Sequence, residues 1–275
     1  MRPALVPILL ADPMPWALKA PYAWDFLNDR ARFAGGYRGG LANTPNWTFT
    51  RASTAYYTNS AGVLTSVASG VLRTGDRGAL IEGAGTNLCL QSQTFDNASW
   101  SKGNVTIAAD AAIAPDGTLT ADKAEVASTA STQLAQNITV AATTITYTVY
   151  AKKGSGATDA NTFFIYNNTA ASSLLGVRLN FDTGALTYTF GSSGASVTAL
   201  ANGWYRIAMT VAAGITSGDS IRVYTVGSGT SLTAGQYVYL WGAQLEATAF
   251  ASSYVATTTA SATRAADSLT VTGVT

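Results

Sequence analysis

From Ile145 to Tyr224 the apolar side chains fall on every second residue, run after run, and this regularity constrains the fold more than anything else in the chain. Ile145, Tyr147, Val149 and Ala151 form one row, with Thr144, Thr146, Thr148, Tyr150 and Lys152 in the other. Val177, Leu179 and Phe181 alternate with Arg178, Asn180 and Asp182. The turn Asp182-Thr-Gly184 then leads into Leu186, Tyr188 and Phe190, a hairpin signature. Tyr205, Ile207, Met209 and Val211 alternate with Trp204, Arg206, Ala208 and Thr210, and Ile221 and Val223 with Arg222 and Tyr224. A helix needs apolar spacings of three and four, and no segment sustains them over a helix length. The run Tyr237-Val-Tyr-Leu-Trp-Gly-Ala-Gln-Leu-Glu246 differs from the others. Tyr237, Tyr239, Trp241, Ala243 and Leu245 make one row and Val238 and Leu240 begin the opposite one, as in a strand covered on both faces. The pattern predicts an all-β chain built around a two-sheet, jelly-roll β-sandwich.

Composition shifts divide the chain. Residues 1–34 open on a Pro-rich stretch in which Pro3, Pro7, Pro13 and Pro15 forbid a helix, and this reads as an extended arm that docks on a neighbouring subunit. Its apolar start imitates a secretory signal but is short, interrupted by proline and without a small-x-small cleavage site. Residues 35–86 read as a small β segment, entered through a Gly-rich connector at Gly35–Gly40. Residues 87–256 form the predicted jelly roll, and residues 257–275, closing with Ser268-Leu-Thr-Val-Thr272, a last strand or an extended tail. No apolar run reaches membrane-span length, so no membrane insertion is expected.

Charged residues make up 11% of the chain, against about 25% in ordinary soluble domains. The net charge of +1 offers no basic field to a nucleic-acid backbone. Cys89 is alone, so no internal disulfide can form, and its apolar neighbours mark it as a buried small hydrophobe. The chain has no histidine, which removes Ser-His-Asp triads and the usual zinc sites. A glycosidase needs only two carboxylates. Yet Asp76, Asp116, Asp182 and Asp219 sit where turns want aspartate, and Glu82, Glu125 and Glu246 form no evident pair. Enzymatic activity is not expected.

The outward rows of the predicted strands collect Tyr150, Lys152, Arg178, Asn180, Trp204, Arg206, Arg222 and Tyr224. Aromatic rings stack on the apolar faces of sugars, and Arg and Asn supply planar hydrogen-bonding groups. The set is the candidate carbohydrate site, its three arginines favouring an anionic or heavily hydroxylated glycan. Outward Arg and Tyr are also ordinary at subunit interfaces. Sugar-binding jelly rolls often carry a structural Ca²⁺, for which Asp96 and Glu246 are the candidate ligands. No other cofactor is expected.

Six motifs follow one another in order: Asn87-Leu-Cys-Leu-Gln-Ser92, Phe95-Asp-Asn-Ala-Ser-Trp100, Ala114-Pro-Asp-Gly-Thr118 with Ala121-Asp-Lys123, Gly203-Trp-Tyr-Arg206, Leu240-Trp-Gly-Ala-Gln-Leu-Glu246 and Thr263-Arg-Ala-Ala-Asp267. The series resembles the carbohydrate-binding-module-like jelly roll of tailed-phage and prophage structural proteins: head spikes, tail fibres and the head spikes of gene transfer agents. Phe49-Thr-Arg-Ala-Ser-Thr54, Gly62-Val-Leu64 and Leu80-Ile-Glu-Gly83 resemble the segment that precedes that domain. The resemblance implies a spike or fibre on the surface of a phage-like particle, a trimer or pentamer that binds host polysaccharide without cleaving it. Other virion proteins would hold its N-terminal arm. The alternatives are a purely structural decoration or adaptor protein and, third, a polysaccharide depolymerase. The motifs themselves read as structural and do not identify the sugar-binding residues.

Overall fold

The computed structural model of the protein describes residues 23–25, 30–33, 36–39, 47–75, 78–128, 132–156, 161–227 and 232–271. The predicted docking arm lies outside them up to residue 22. The described chain forms two compact units, one of residues up to Gly85 together with those from Arg264 on, the other of Thr86–Thr263. Among the described residues there is no α-helix, and the elements are strands apart from a single 3-10 turn at Ala201–Gly203.

The first unit begins with β1 (Ala23–Asp25), β2 (Arg30–Phe33) and β3 (Gly36–Gly39), an antiparallel meander in the order β1-β2-β3. The Gly-rich stretch expected as a connector is therefore largely a strand. Its backbone pairs with β2 through Arg32↔Tyr37, so ladder hydrogen bonds hold it where the sequence offers no alternation. Then come β4 (Trp47–Thr50), β5 (Ala55–Thr58), β6 (Leu64–Val67), β7 (Arg73–Gly75) and β8 (Gly78–Leu80). The β5–β6 hairpin turns on Asn59, whose Oδ1 accepts the Ala61 and Val63 N–H groups at 3.0 Å each.

The second unit holds β9 (Gly85–Asn87, entering from the first), β10 (Ser101–Gly103), β11 (Val105–Ile113), β12 (Leu119–Val126), β13 (Gln133–Thr139), β14 (Ile145–Lys153) and β15 (Thr162–Asn167). It continues with β16 (Ser172–Leu179), β17 (Leu186–Phe190), β18 (Ala195–Ala199), β19 (Trp204–Val211), β20 (Ser220–Val226) and β21 (Tyr237–Glu246). Two six-stranded sheets result: a front sheet β10-β13-β20-β15-β16-β17 and a back sheet β11-β12-β21-β14-β19-β18. The chain crosses between them at β13–β14–β15 and again at β19–β20–β21, the connectivity of a jelly roll. The predicted inward rows form the shared core. Tyr147, Val149, Ile207 and Met209 from the back sheet are fully buried with Phe163, Ile165, Val177, Leu179, Ile221 and Val223 from the front. Cys89 joins them, and burial pushes its thiol far above the ordinary range.

β21 lies between β12 and β14, covered on both faces as its sequence predicts. Its single row from Tyr237 to Leu245 does not survive. Gly242 adopts φ 61°, and β14 slips register there, Tyr150 facing Trp241 while Thr148 faces Gln244. Ala243 and Leu245 thereby join Val238 and Leu240 in the core, and Trp241 turns to the outer side. A β-bulge is invisible to a period-two reading because it is the point at which the period breaks. Just outside this strand, buried Asn87 acts as a clamp. Its Nδ2 donates to the Ala243 and Val255 carbonyls at 3.0 and 2.8 Å, and its Oδ1 accepts the Cys89 and Leu245 N–H groups.

Two short strands end the described chain, β22 (Ala262–Arg264) and β23 (Ser268–Val271). The tail is not free: β23 pairs with β4 through Leu269↔Phe49 and completes the first unit. Beside it the fully buried Asp267 carboxylate bridges two buried arginines, Arg51 at 3.2 Å and Arg73. Arg73 also meets Glu82 at 2.6 Å, and Asp267 accepts the Glu82 N–H. The Thr-Arg-Ala-Ser and Thr-Arg-Ala-Ala-Asp motifs, remote in sequence, thus form one ionic joint.

Candidate functional site

The structure splits seven of the eight candidate sugar-binding residues between opposite sheets and leaves Asn180 in a turn. Tyr150, Lys152, Trp204 and Arg206 lie on the outer side of the back sheet, paired as Tyr150↔Arg206 and Lys152↔Trp204. Tyr150 and Trp204 are 1% exposed and cannot receive a ligand. Trp204 Nε1 donates to the Ile113 carbonyl at 3.0 Å. Tyr150 packs edge-on against Trp241 and Tyr254, its ring centroid 5.4 and 6.0 Å from theirs. The cover is the strap that follows β21. Arg206 donates to the Ser252 carbonyl at 2.6 Å, Gln244 Oε1 accepts the Val255 N–H at 2.7 Å, and Thr146 donates to the Thr248 carbonyl at 2.9 Å. Tyr150 and Trp204 are thus corrected from ligand contacts to parts of the sandwich, while Arg206 is bonded to the strap and Lys152 stays partly exposed. Alternation tells which row faces out, not what lies over it.

The front sheet is different. Its outer side brings Arg222, Tyr224 and Arg178 into one field with two residues absent from the sequence-based set, Phe164 and Tyr166. Register fixes the layout: Tyr166 beside Arg222, Phe164 between Tyr224 and Gly176, and Thr162 beside Arg178. The ring of Phe164 lies 5.7 Å from Tyr224 and 6.4 Å from Tyr166, and the Arg222 guanidinium stands 5.1 Å over the Tyr224 ring. Gly176 makes room for Phe164, since a Cβ there would sit 2.7 Å from its ring. Phe164, Tyr166, Arg178 and Arg222 remain partly exposed, while Tyr224 is 8% exposed and supports the platform from beneath. Burial pushes the Tyr224 phenol up, against the opposing pull of Arg222. Polar groups edge the field: Asn137 beside Arg222, the Asn168 amide on Asn137 at 3.2 Å, and Ser101 at 3.5 Å from Arg222. The run Asn161-Thr-Phe-Phe-Ile-Tyr166 hid its outward residues because both of its rows are apolar. The available signal was that excess, since a strand that is aromatic on both rows puts at least one aromatic side chain on the outer face.

Asn180 is a turn residue instead. Its Oδ1 accepts the Asp182 and Thr183 N–H groups at 3.0 and 2.9 Å, closing the β16–β17 hairpin. The two candidate Ca²⁺ ligands serve separate purposes. Glu246 is fully buried and accepts the Ser252 N–H, the Ser252 hydroxyl and the Gln244 amide, which anchors the strap. Asp96 is exposed in a loop whose backbone carbonyls already surround a cation, the Lys102 ammonium. Lys102 Nζ donates to the carbonyls of Asp96 at 2.9 Å, Asn97 at 2.8 Å and Trp100 at 3.0 Å. Among the described residues no group of three or more carboxylate or thiol side chains converges to hold a metal. A sequence reader sees the acid beside a turn but not that a lysine six residues on donates to the carbonyls of the same loop.

The fold defines the class, an antiparallel jelly-roll β-sandwich with an aromatic and cationic field on one outer face. No protein-family model matches the chain, and no curated protein matches it. Solved structures do. An arabinose-bound MgGH51 α-L-arabinofuranosidase is 13% identical over 73% of this chain and 31% of its own, with a TM-score of 0.38. The CBM22-1 xylan-binding domain of Paenibacillus barcinonensis Xyn10C is 13% identical over 60% of this chain and 96% of its own, with a TM-score of 0.34. The enzymatically active domain of bacteriophage CBA120 tailspike protein 4 is 13% identical over 58% and 21%, with a TM-score of 0.29. The chain thus spans under a third of the arabinofuranosidase and of the tailspike domain.

Proposed function

We propose that the sandwich is a saccharide-binding module that holds a glycan chain on the outer side of the front sheet without cleaving it. The observation that carries this reading is the pair of partly exposed rings Phe164 and Tyr166, backed by Tyr224, on an outward sheet face edged by Arg and Asn. Sugar rings stack on such faces while their hydroxyls take up the polar edge. Hydrolysis would need two carboxylates flanking the bond, and the six front-sheet strands carry no Asp or Glu. The wider role, supported by the ordered sequence motifs, is that of a spike or fibre on a phage-like particle, with several copies binding host polysaccharide together. Weak single sites then gain a factor of about 10² to 10⁴ from effective concentration.

The test is binding of the purified protein to a glycan array and to host-derived polysaccharides, repeated with Phe164→Ala and Tyr166→Ala. Binding that both variants reduce at least tenfold, with thermal stability retained, supports the reading. Absence of binding to every polysaccharide, or binding indifferent to both variants, refutes it. In that case a platform buried between subunits would favour a decoration or adaptor role.

A further inference from the structure

The charge of the sandwich is segregated between its two sheets. The front-sheet strands contain Lys102, Arg178 and Arg222 and no acid, whereas the back-sheet strands balance Asp110, Asp122, Glu125 and Glu246 against Lys123, Lys152, Lys153 and Arg206. The back-sheet charges are largely used within the fold, as in the Lys123–Glu125 pair at 2.7 Å and the Arg206 bond to Ser252. Arg222 is not used in this way. It has no carboxylate partner among the described residues, its Nε–H is buried without an acceptor, and its one side-chain bond is to Ser101 at 3.5 Å. A guanidinium offers five N–H donors in a fork that matches a carboxylate. Most of that capacity is unspent, directly beside the Tyr224 ring.

The register adds a direction. Arg222, Phe164 and Arg178 lie on one diagonal across β20, β15 and β16. Strand spacing and rise put the two arginine α-carbons roughly 16 Å apart, with the aromatic platform between them. A single sugar does not span that distance, but an extended oligosaccharide does.

Resting on the saccharide reading above, we infer that the ligand is an acidic polysaccharide, held with sugar rings on Phe164 and Tyr166 and a ring carboxylate on Arg222. Arg178 adds positive potential at the far end of the diagonal. Because opposite charge strengthens the contact and salt screens it, affinity for such a polymer falls as ionic strength rises.

Affinity electrophoresis and calorimetry test this with four acidic polymers, polygalacturonate, polymannuronate, hyaluronate and polysialate, against carboxyl-reduced, neutral polygalacturonate. The inference expects at least one acidic polymer to bind about tenfold or more tighter than the neutral one, with the preference shrinking in salt. Arg222→Gln should weaken binding of the acidic polymer about tenfold more than binding of the neutral one, and Arg222→Lys should restore part of that difference. Phe164→Ala should weaken both classes. Equal or better binding of the neutral polymer, or an acidic preference unchanged in Arg222→Gln, overturns the inference and leaves the saccharide reading standing. No binding to any polymer of either class overturns both.

Discussion

Asp122→Asn is expected to remove one specific pH dependence from the stability of the sandwich. Asp122 is buried between β11, β12 and the loop before β10. Its Oδ2 accepts the Phe95 N–H at 2.7 Å and its Oδ1 the Asp110 N–H at 3.1 Å. The second bond pins a bulge, since Asp110 has φ 52° and the β11–β12 register slips beside it. Burial pushes the carboxyl from 3.8 up to about 6, against the pull of the two N–H donors and helped by the nearby Asp96 and Asp110 charges. The folded state therefore holds this proton more tightly than the unfolded chain does. The resulting stability is fully present below about pH 4 and is lost as pH rises towards about 6. A shift of about two units corresponds to about 3 kcal/mol. Asparagine has no proton to lose, so this component vanishes. It keeps one carbonyl acceptor but turns an NH₂ towards the other donor, costing about 1–3 kcal/mol at every pH. Urea denaturation of both proteins from pH 4 to pH 7 measures the difference. The variant should be the less stable at pH 4, and the gap should close or reverse by pH 7. A wild-type-minus-variant difference that stays constant across the interval refutes the argument.

Three further outcomes are expected. Gly242→Ala should lower stability by about 2–4 kcal/mol, because the residue needs a positive φ and its new Cβ would lie 2.9 Å from the Tyr150 ring; thermal denaturation reads this. Asp267→Ala leaves Arg51 and Arg73 without their shared buried counter-charge and should cost the first unit about 3–5 kcal/mol. Limited proteolysis should then cut before residue 86 while Thr86–Thr263 resists. Glu246→Ala removes the acceptor for the Ser252 N–H and hydroxyl, so amide exchange should accelerate in the strap before it does in β14 or β19.

What was legible in the sequence was whatever obeys a period. The rows through Tyr147, Val177, Ile207 and Val223 fixed the inward faces of both sheets, and the Asp182-Thr-Gly184 turn fixed a hairpin. What escaped was non-periodic or non-local. The bulge at Gly242 reverses a row midway, and the strap bonded to Glu246 and Gln244 covers a face that alternation marks as outward. The candidate site divided along the same line. Arg178, Arg222 and Tyr224 were found from their row, and Phe164 and Tyr166 were missed because aromatic residues on both parities erase the contrast. Most of the recognisable motifs turned out to be joints: Asn87 clamps β21, Asp122 clips a loop, and Asp267 ties two arginines.

That last joint bears on how the protein is made. Arg51 and Arg73 emerge from the ribosome early, whereas Asp267 arrives some two hundred residues later. Until then Arg51 and Arg73 lack the carboxylate that they share, although Glu82 already faces Arg73, and β4 lacks its partner β23, while every strand of the sandwich has been made. A chain terminated before Asp267 is expected to keep a folded Thr86–Thr263 unit and to lack a completed first unit. Closure of the first unit therefore depends on a carboxylate and a strand that are encoded after the whole sandwich.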